Sequence, residues 1–98
     1  MAAITDEQVE AVRALVASIP AGRVSTYGDI ATAADLSSPR IVGWIMRTDS
    51  SDLPWHRVIG ASGKPAHHLT TRQLELLRAE GVLAKDGRVN LREVRHAF

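Results

Sequence analysis

The chain contains no cysteine. That absence removes disulfides, thiolate metal sites and every reaction whose nucleophile is a thiolate, and it fits a reducing compartment. No apolar run approaches the roughly 20 residues of a membrane-spanning helix, so no membrane partner is expected. The opening Met1-Ala2-Ala3-Ile4-Thr5-Asp6 has neither the basic nor the apolar region of a secretory leader. Repeats, low-complexity tracts and internal linkers are also missing, and residues 1–98 read as one domain. No sign of charge dominates: the formal net charge is +1, which does not advertise nucleic-acid binding as a strongly basic domain would.

What is there is an ordinary globular balance, 45% hydrophobic and 23% charged. A chain this short supports a single compact core at most. The charges are unevenly placed. Asp6, Glu7 and Glu10 crowd one end, while Arg40, Arg47, Arg57, Lys64 and Arg72 fall in the middle. Ten of the twelve basic residues are arginine, the side chain suited to phosphate forks and stacking. From composition alone, solvated surface charges are the simpler account.

Thr5-Asp6-Glu7-Gln8 predicts a capping box, followed by an apolar face at Val9, Val12, Leu15, Val16 and Ile19. Pro20-Ala21-Gly22 stops that helix, and Val24-Ser25-Thr26 is a short extended link. Tyr27 to Ala34 reads as a second helix capped by Thr26, with Ile30, Ala31 and Ala34 inward. Leu36-Ser37-Ser38 is a turn. Ser38 before Pro39 starts a third helix reaching about Arg47. Two short helices around a tight turn make a helix-turn-helix. Arg57-Val58-Ile59 reads as a strand, with Gly60-Ala61-Ser62-Gly63 as a turn and a candidate wing. Thr70 to Gln73 reads as a second capping box, opening a helix that Gly81 ends. Asp86-Gly87 is the turn of a terminal hairpin running from Val82 to Leu91.

The specific segment is Pro54-Trp55-His56-Arg57-Val58-Ile59. It resembles the Pro-Cys-His-Arg-Val motif of the O6-alkylguanine-DNA alkyltransferases, with Trp55 at the position of the alkyl-accepting cysteine. An indole nitrogen is a donor only and has no basic lone pair with which to attack carbon. The resemblance therefore points to the alkyltransferase-like proteins and covers nearly the whole chain. Ile19 to Ala31 is similar to the family's approach to its helix-turn-helix, and Pro39 to Arg47 to its recognition helix. The implied fold is a small α/β winged helix-turn-helix domain like the C-terminal domain of the alkyltransferases.

The implied function is a non-catalytic sensor that binds O6-alkylguanine in double-stranded DNA. It flips the base into a pocket and flags it for nucleotide excision repair proteins. The resemblance makes Arg40 the finger that fills the hole left by the extruded base, a role suited to a planar guanidinium; phosphate contact or simple solvation are the alternatives. Tyr27 lies where the family crowds the target phosphate, though a half-buried core tyrosine reads equally well. Ser37, Ser38, Gly43 and Arg47 join them on the DNA-binding face. Trp55, Pro54, Val58, Ser62 and His68 are assigned to the lesion pocket, and His56, Arg57 and Glu80 to a hydrogen-bonded network beneath it. Position 68 departs from the family, which commonly carries an arginine on this lid; a neutral imidazole lacks the permanent charge.

No catalytic residue, metal or cofactor is expected. Adjacent His67 and His68 do not converge on one ion, and no carboxylate or thiolate partner sits at useful spacing. The protein is expected to be a monomer, cytoplasmic and nucleoid-associated in a bacterium or nuclear in a eukaryote. One rival is a winged-helix regulator of undamaged DNA, but the helix start offers Ser37, Ser38 and Arg40 rather than base-reading Asn or Gln. Another is a hydrolytic dealkylase using His56 and Glu80 on water.

Overall fold

Helix α1 runs from Asp6 to Ala17 in the computed structural model, which describes residues 3–98. Met1 and Ala2, the start of the segment read as leaderless, lie outside the described residues. The capping box is formed: the Thr5 hydroxyl accepts from the Gln8 amide at 3.1 Å, and the Gln8 side-chain oxygen accepts from the Thr5 amide at 3.0 Å. Val12 and Val16 are fully buried on the inner face. The helix ends before Pro20, because Ser18 caps it and turns Ile19 into the core.

The link after α1 contains a strand. β1 (Ser25–Thr26) pairs in parallel with β2 (Val58–Ile59), in register Ser25 with Val58 and Thr26 with Ile59. Thr26 then caps α2 (Tyr27–Ala33), accepting from the Asp29 amide at 3.0 Å. The turn of the helix-turn-helix is closed by two backbone bonds, Leu36 to the Ala31 carbonyl and Asp35 to the Thr32 carbonyl. Asp35 sits at φ 56°, taking the left-handed position that usually belongs to glycine. Ser38 caps α3 (Pro39–Thr48), with Pro39 in its first turn.

Three local expectations are corrected. Segment 57–63 does not form a wing hairpin of its own: Trp55–Arg57 is a single 3-10 turn, and β2 takes its partner from β1. Thr70–Gln73 is not a capping box. Thr70 is the first residue of α4 (Thr70–Ala79), its hydroxyl donates to the His67 carbonyl, and no side chain caps the helix. Gln73 is instead buried and donates to the carbonyls of His56 and Val58 at 2.9 and 2.7 Å. Pairing the buried Val58 carbonyl outweighs a cap that water can replace. Finally, the terminal hairpin is short, β3 (Ala84–Lys85) with β4 (Arg88–Val89), and Leu91–Val94 forms α5 capped by Asn90. Its turn is as expected, with Asp86 and Gly87 both at positive φ.

The β1–β2 pair separates two apolar clusters. Val58 faces Val12, Val16, Ile19, Ile30, Ala31, Val42 and Ile45. Ile59, one residue on and pointing the other way, packs with Val24, Leu77, Val82 and Val89. Gly63 locks the second cluster to the loop after β2: its carbonyl accepts from the Val89 amide, and a Cβ there would lie 2.4 Å from the Val89 carbonyl oxygen. Ion pairs brace the periphery. Arg13 on α1 holds Asp49 and Asp52 beyond α3, and Arg95 forks onto Asp29 of α2 at 2.6 and 2.7 Å.

Glu80, the capping residue of α4, joins three segments. Its carboxylate accepts from Arg57 Nε and Nη2, from His56 Nε2 at 2.7 Å and from the Gly22 amide at 3.1 Å. Arg57 also donates to the Ile19 carbonyl at 2.8 Å. Donation from the Arg57 guanidinium, reinforced by His56 and Gly22, holds the Glu80 carboxyl down at about 2 from its usual 4.5, against the opposing effect of burial. The side chain is 15% exposed, so solvent screens it little. A carboxyl depressed in the fold stabilises it fully above the unfolded value and loses that contribution as pH falls from 4.5 to about 2. The gap corresponds to about 3 kcal/mol. Glu80→Gln should therefore lower the urea-unfolding free energy by about 3 kcal/mol at pH 7, and the difference between wild type and variant should shrink toward pH 2. A difference that stays constant across that range would show that the network contributes no proton-linked stability.

Candidate functional site

A cleft of about 760 Å³ opens between α3 and the segment that leads from Trp55 to α4. Tyr27, Arg40, Gly43 and Arg47 line one side. Trp55, Val58, His68 and Gln73 line the other. Seven residues singled out in the sequence thus meet at one opening, although they come from α2, α3, the 3-10 turn, β2 and the lid turn His67–Leu69. Arg40 occupies the start of α3, where Ser38 accepts its backbone amide at 3.1 Å and leaves the exposed side chain free of the cap. Tyr27 is partly buried, and that burial pushes its hydroxyl above the ordinary phenol value. It remains a protonated donor at neutral pH.

Trp55 is partly buried on the 3-10 turn, its ring edge-on to His56 at 6.1 Å between centroids. The turn is held from behind by His56 and Arg57 through Glu80, and by Gln73, which lines the cleft while its amide nitrogen donates to the His56 and Val58 carbonyls. Because Glu80 is a carboxylate and accepts only, the 2.7 Å bond to His56 places a proton on Nε2. The imidazole is thereby committed to the network by that nitrogen. His56, Arg57 and Glu80 lie together as expected, at the back of the turn rather than in the cleft lining.

Some expected residues are placed elsewhere. Ser62 lines a separate shallow depression with Lys85, Arg88 and Asn90 on the hairpin side, because the turn 60–63 folds toward β4 through Gly63. Pro54 precedes the 3-10 turn and Ser37 and Ser38 precede α3; none lines the cleft. His67 is exposed beside His68 but points outside the lining set. Among the described residues, no group of three or more His, Cys, Asp or Glu side chains could hold a metal ion, and no helix is long and apolar enough to cross a membrane.

The cleft also contains residues that the sequence did not mark, Trp44, Met46, Thr48, Ser50, Ser51 and Leu69, and Ala66 from the loop between Ser62 and His68 that the resemblance places at the mouth. Trp44 and Thr48 follow Arg40 at helical spacing, so the periodicity of α3 was a usable signal for them. Ser50 was not detectable that way. It is buried, and its hydroxyl donates to the Met46 carbonyl at the end of α3. Gln73 carried no signal beyond a false capping pattern.

With this geometry in view, the comparisons with known proteins are direct. The family model of the 6-O-methylguanine DNA methyltransferase DNA-binding domain matches residues 7–82. The DNA base-flipping protein of Escherichia coli (strain K12) is 41% identical over 91 residues, covering 83% of this chain and 67% of that protein. Alkyltransferase-like protein 1 of Schizosaccharomyces pombe is 38% identical over 84 residues, covering 79% and 78%. The crystal structure of S. pombe Atl1 with damaged DNA containing O6-carboxymethylguanine superimposes with a TM-score of 0.87 at 32% identity, covering 98% of this chain and 100% of that one. The Mycobacterium tuberculosis O6-methylguanine methyltransferase gives a TM-score of 0.67 at 32% identity, covering 86% of this chain but 53% of that one. The likeness is thus whole-chain to the alkyltransferase-like protein and confined to one part of the methyltransferase, and this chain belongs to the family of the 6-O-methylguanine DNA methyltransferase DNA-binding domain, on its alkyltransferase-like branch.

Proposed function

We propose that this protein is a non-catalytic sensor of O6-alkylguanine in double-stranded DNA. The observation that carries the reading is Trp55, which lines a cleft together with Tyr27, Arg40 and His68, in a chain without cysteine. The complex of S. pombe Atl1 with damaged DNA containing O6-carboxymethylguanine supports it. α3 enters the minor groove and Arg40 occupies the hole left by an extruded guanine, stacking there and bonding the orphaned partner base. Tyr27 crowds the target phosphate and donates to it. The flipped base enters the cleft, where the Trp55 indole packs on its alkyl group and His68 stands on the lid. The complex is a monomer that persists on DNA, in the nucleoid or the nucleus, and marks the lesion for nucleotide excision repair.

The deciding experiment is a fluorescence titration with matched duplexes, with and without O6-methylguanine. The alkylated duplex should bind more tightly; equal affinities would favour a regulator of undamaged DNA. Trp55→Ala should erode that preference, weakening the alkylated duplex more than the unmodified one. A uniform loss together with a lower melting temperature would make Trp55 a core residue instead.

Arg40→Ala should keep the fold, since the side chain is exposed and the cap uses only its backbone amide. It should weaken lesion binding by about 1–3 kcal/mol, as losing a base-stacking side chain does. Emission from 2-aminopurine beside the lesion reads the flip directly, and a variant that flips as well as wild type removes Arg40 from the finger role.

Incubation with duplex carrying an isotopically labelled O6-methyl group should leave the label on DNA. No thiol exists to accept it, and His56 is tied to Glu80 through Nε2. The protein should nevertheless obstruct a true alkyltransferase by occupying the lesion. Label found in the protein, or released as methanol, would restore an enzymatic reading.

A further inference from the structure

Three large hydrophobic side chains are strongly exposed among the described residues, and Trp44 is the one on α3. The residue is 51% exposed, lines the cleft from α3 and packs into neither apolar cluster. It lies four residues after Arg40 and three before Arg47, so the three share one face of the helix. That face carries no acid, since α3 reads Pro-Arg-Ile-Val-Gly-Trp-Ile-Met-Arg-Thr. The opposite face is filled by Val42 and Ile45.

The Arg47 guanidinium carbon lies 5.7 Å from the Trp44 ring centroid, within cation–π range. Salt bridges among the described residues engage Arg13, Arg57 and Arg95, and none engages Arg40 or Arg47. Beside the indole, a Cβ on Gly43 would meet nothing within 4 Å. A helix interior prefers alanine to glycine by about 1 kcal/mol, so no contact within the protein accounts for the bare backbone there. An open strip next to an exposed aromatic, between two uncompensated arginines, has the composition of a nucleic-acid platform.

We propose that Trp44 is a lesion-independent DNA contact: its indole packs against the sugar and base edges of the duplex flanking the flipped nucleotide, with Arg47 held beside it for a neighbouring phosphate. This rests on the base-flipping reading above and adds to it a contact that serves undamaged duplex equally. Both indoles line the cleft, but Trp44 is half exposed at its α3 rim and Trp55 is partly buried on the 3-10 turn, and the two divide the work of duplex binding and lesion recognition.

The chain has two tryptophans, so Trp55→Phe leaves Trp44 as its sole indole. When that variant is titrated with unmodified duplex, Trp44 emission should change over the same concentration range as the anisotropy of labelled DNA. Trp44→Ala should weaken alkylated and unmodified duplexes alike, by about ten-fold, and Trp44→Phe should restore most of the loss. Alanine favours the helix, and an unchanged melting temperature would verify that the fold is intact. Unchanged Trp44 emission on bound DNA, or undiminished binding by Trp44→Ala, overturns the contact while leaving the sensor reading in place. A loss confined to the alkylated duplex overturns it too and assigns Trp44 to lesion recognition beside Trp55. A wild-type protein with no preference for alkylated DNA overturns the sensor reading, and the Trp44 emission still decides the contact.

Discussion

The Glu80 carboxylate is the joint on which the rest of this structure depends. It stands at the C-terminal end of α4, where the helix dipole disfavours a negative charge. The Arg57 fork, His56 and the Gly22 amide overcome that cost and hold the acid ionised down to about pH 2. One side chain thereby connects the end of the first helical segment, the Trp55 turn and the end of α4. Gln73, two turns earlier on the same face of α4, secures the same turn through the carbonyls of His56 and Val58. Trp55 is presented to the cleft from a segment immobilised on its far side.

That arrangement separates two tasks that compete in many binding sites. The Glu80 carboxylate is saturated by Arg57, His56 and Gly22, and no buried side-chain polar atom among the described residues lacks a partner. The cleft offers aromatic and apolar surface from Trp55, Met46 and Leu69, with the Arg40 and Arg47 guanidiniums along the same lining outside the ion pairs of the described residues. Behind the Trp55 indole these bonds serve as scaffolding.

The two-stranded parallel pair explains how so short a chain positions both halves of the interface. Val58 and Ile59 point to opposite sides, one into the helix-turn-helix cluster and the other toward α4 and the hairpin. Two residues thus fix the recognition helix relative to the Trp55 turn. Large proteins spread such alignment over a whole sheet; here it rests on four residues and the loop closed by Gly63.

Local features were legible in the sequence because their causes are local. The Thr5–Gln8 box, the Ser38-Pro39 start, the Gly81 stop and the Asp86-Gly87 turn each depend on residues within one turn of each other, and the structure has them all. The meeting of His56, Arg57 and Glu80 was legible only through the resemblance, since a separation of more than twenty residues carries no periodic signal. Other features belong to tertiary structure alone. Gln73 occurs in a pattern that reads as a cap, yet the carbonyls of His56 and Val58 draw its amide inward. Ser62 is close to the cleft residues in sequence, yet Gly63 folds it toward the hairpin. The extended link at Ser25 becomes a strand because β2 arrives beside it from more than thirty residues away. Chemical identity at position 55 was determined by the sequence by itself: no thiolate can act where none exists. Which surfaces face that indole was decided only when burial and hydrogen bonding, summed over distant segments, selected one packing of them.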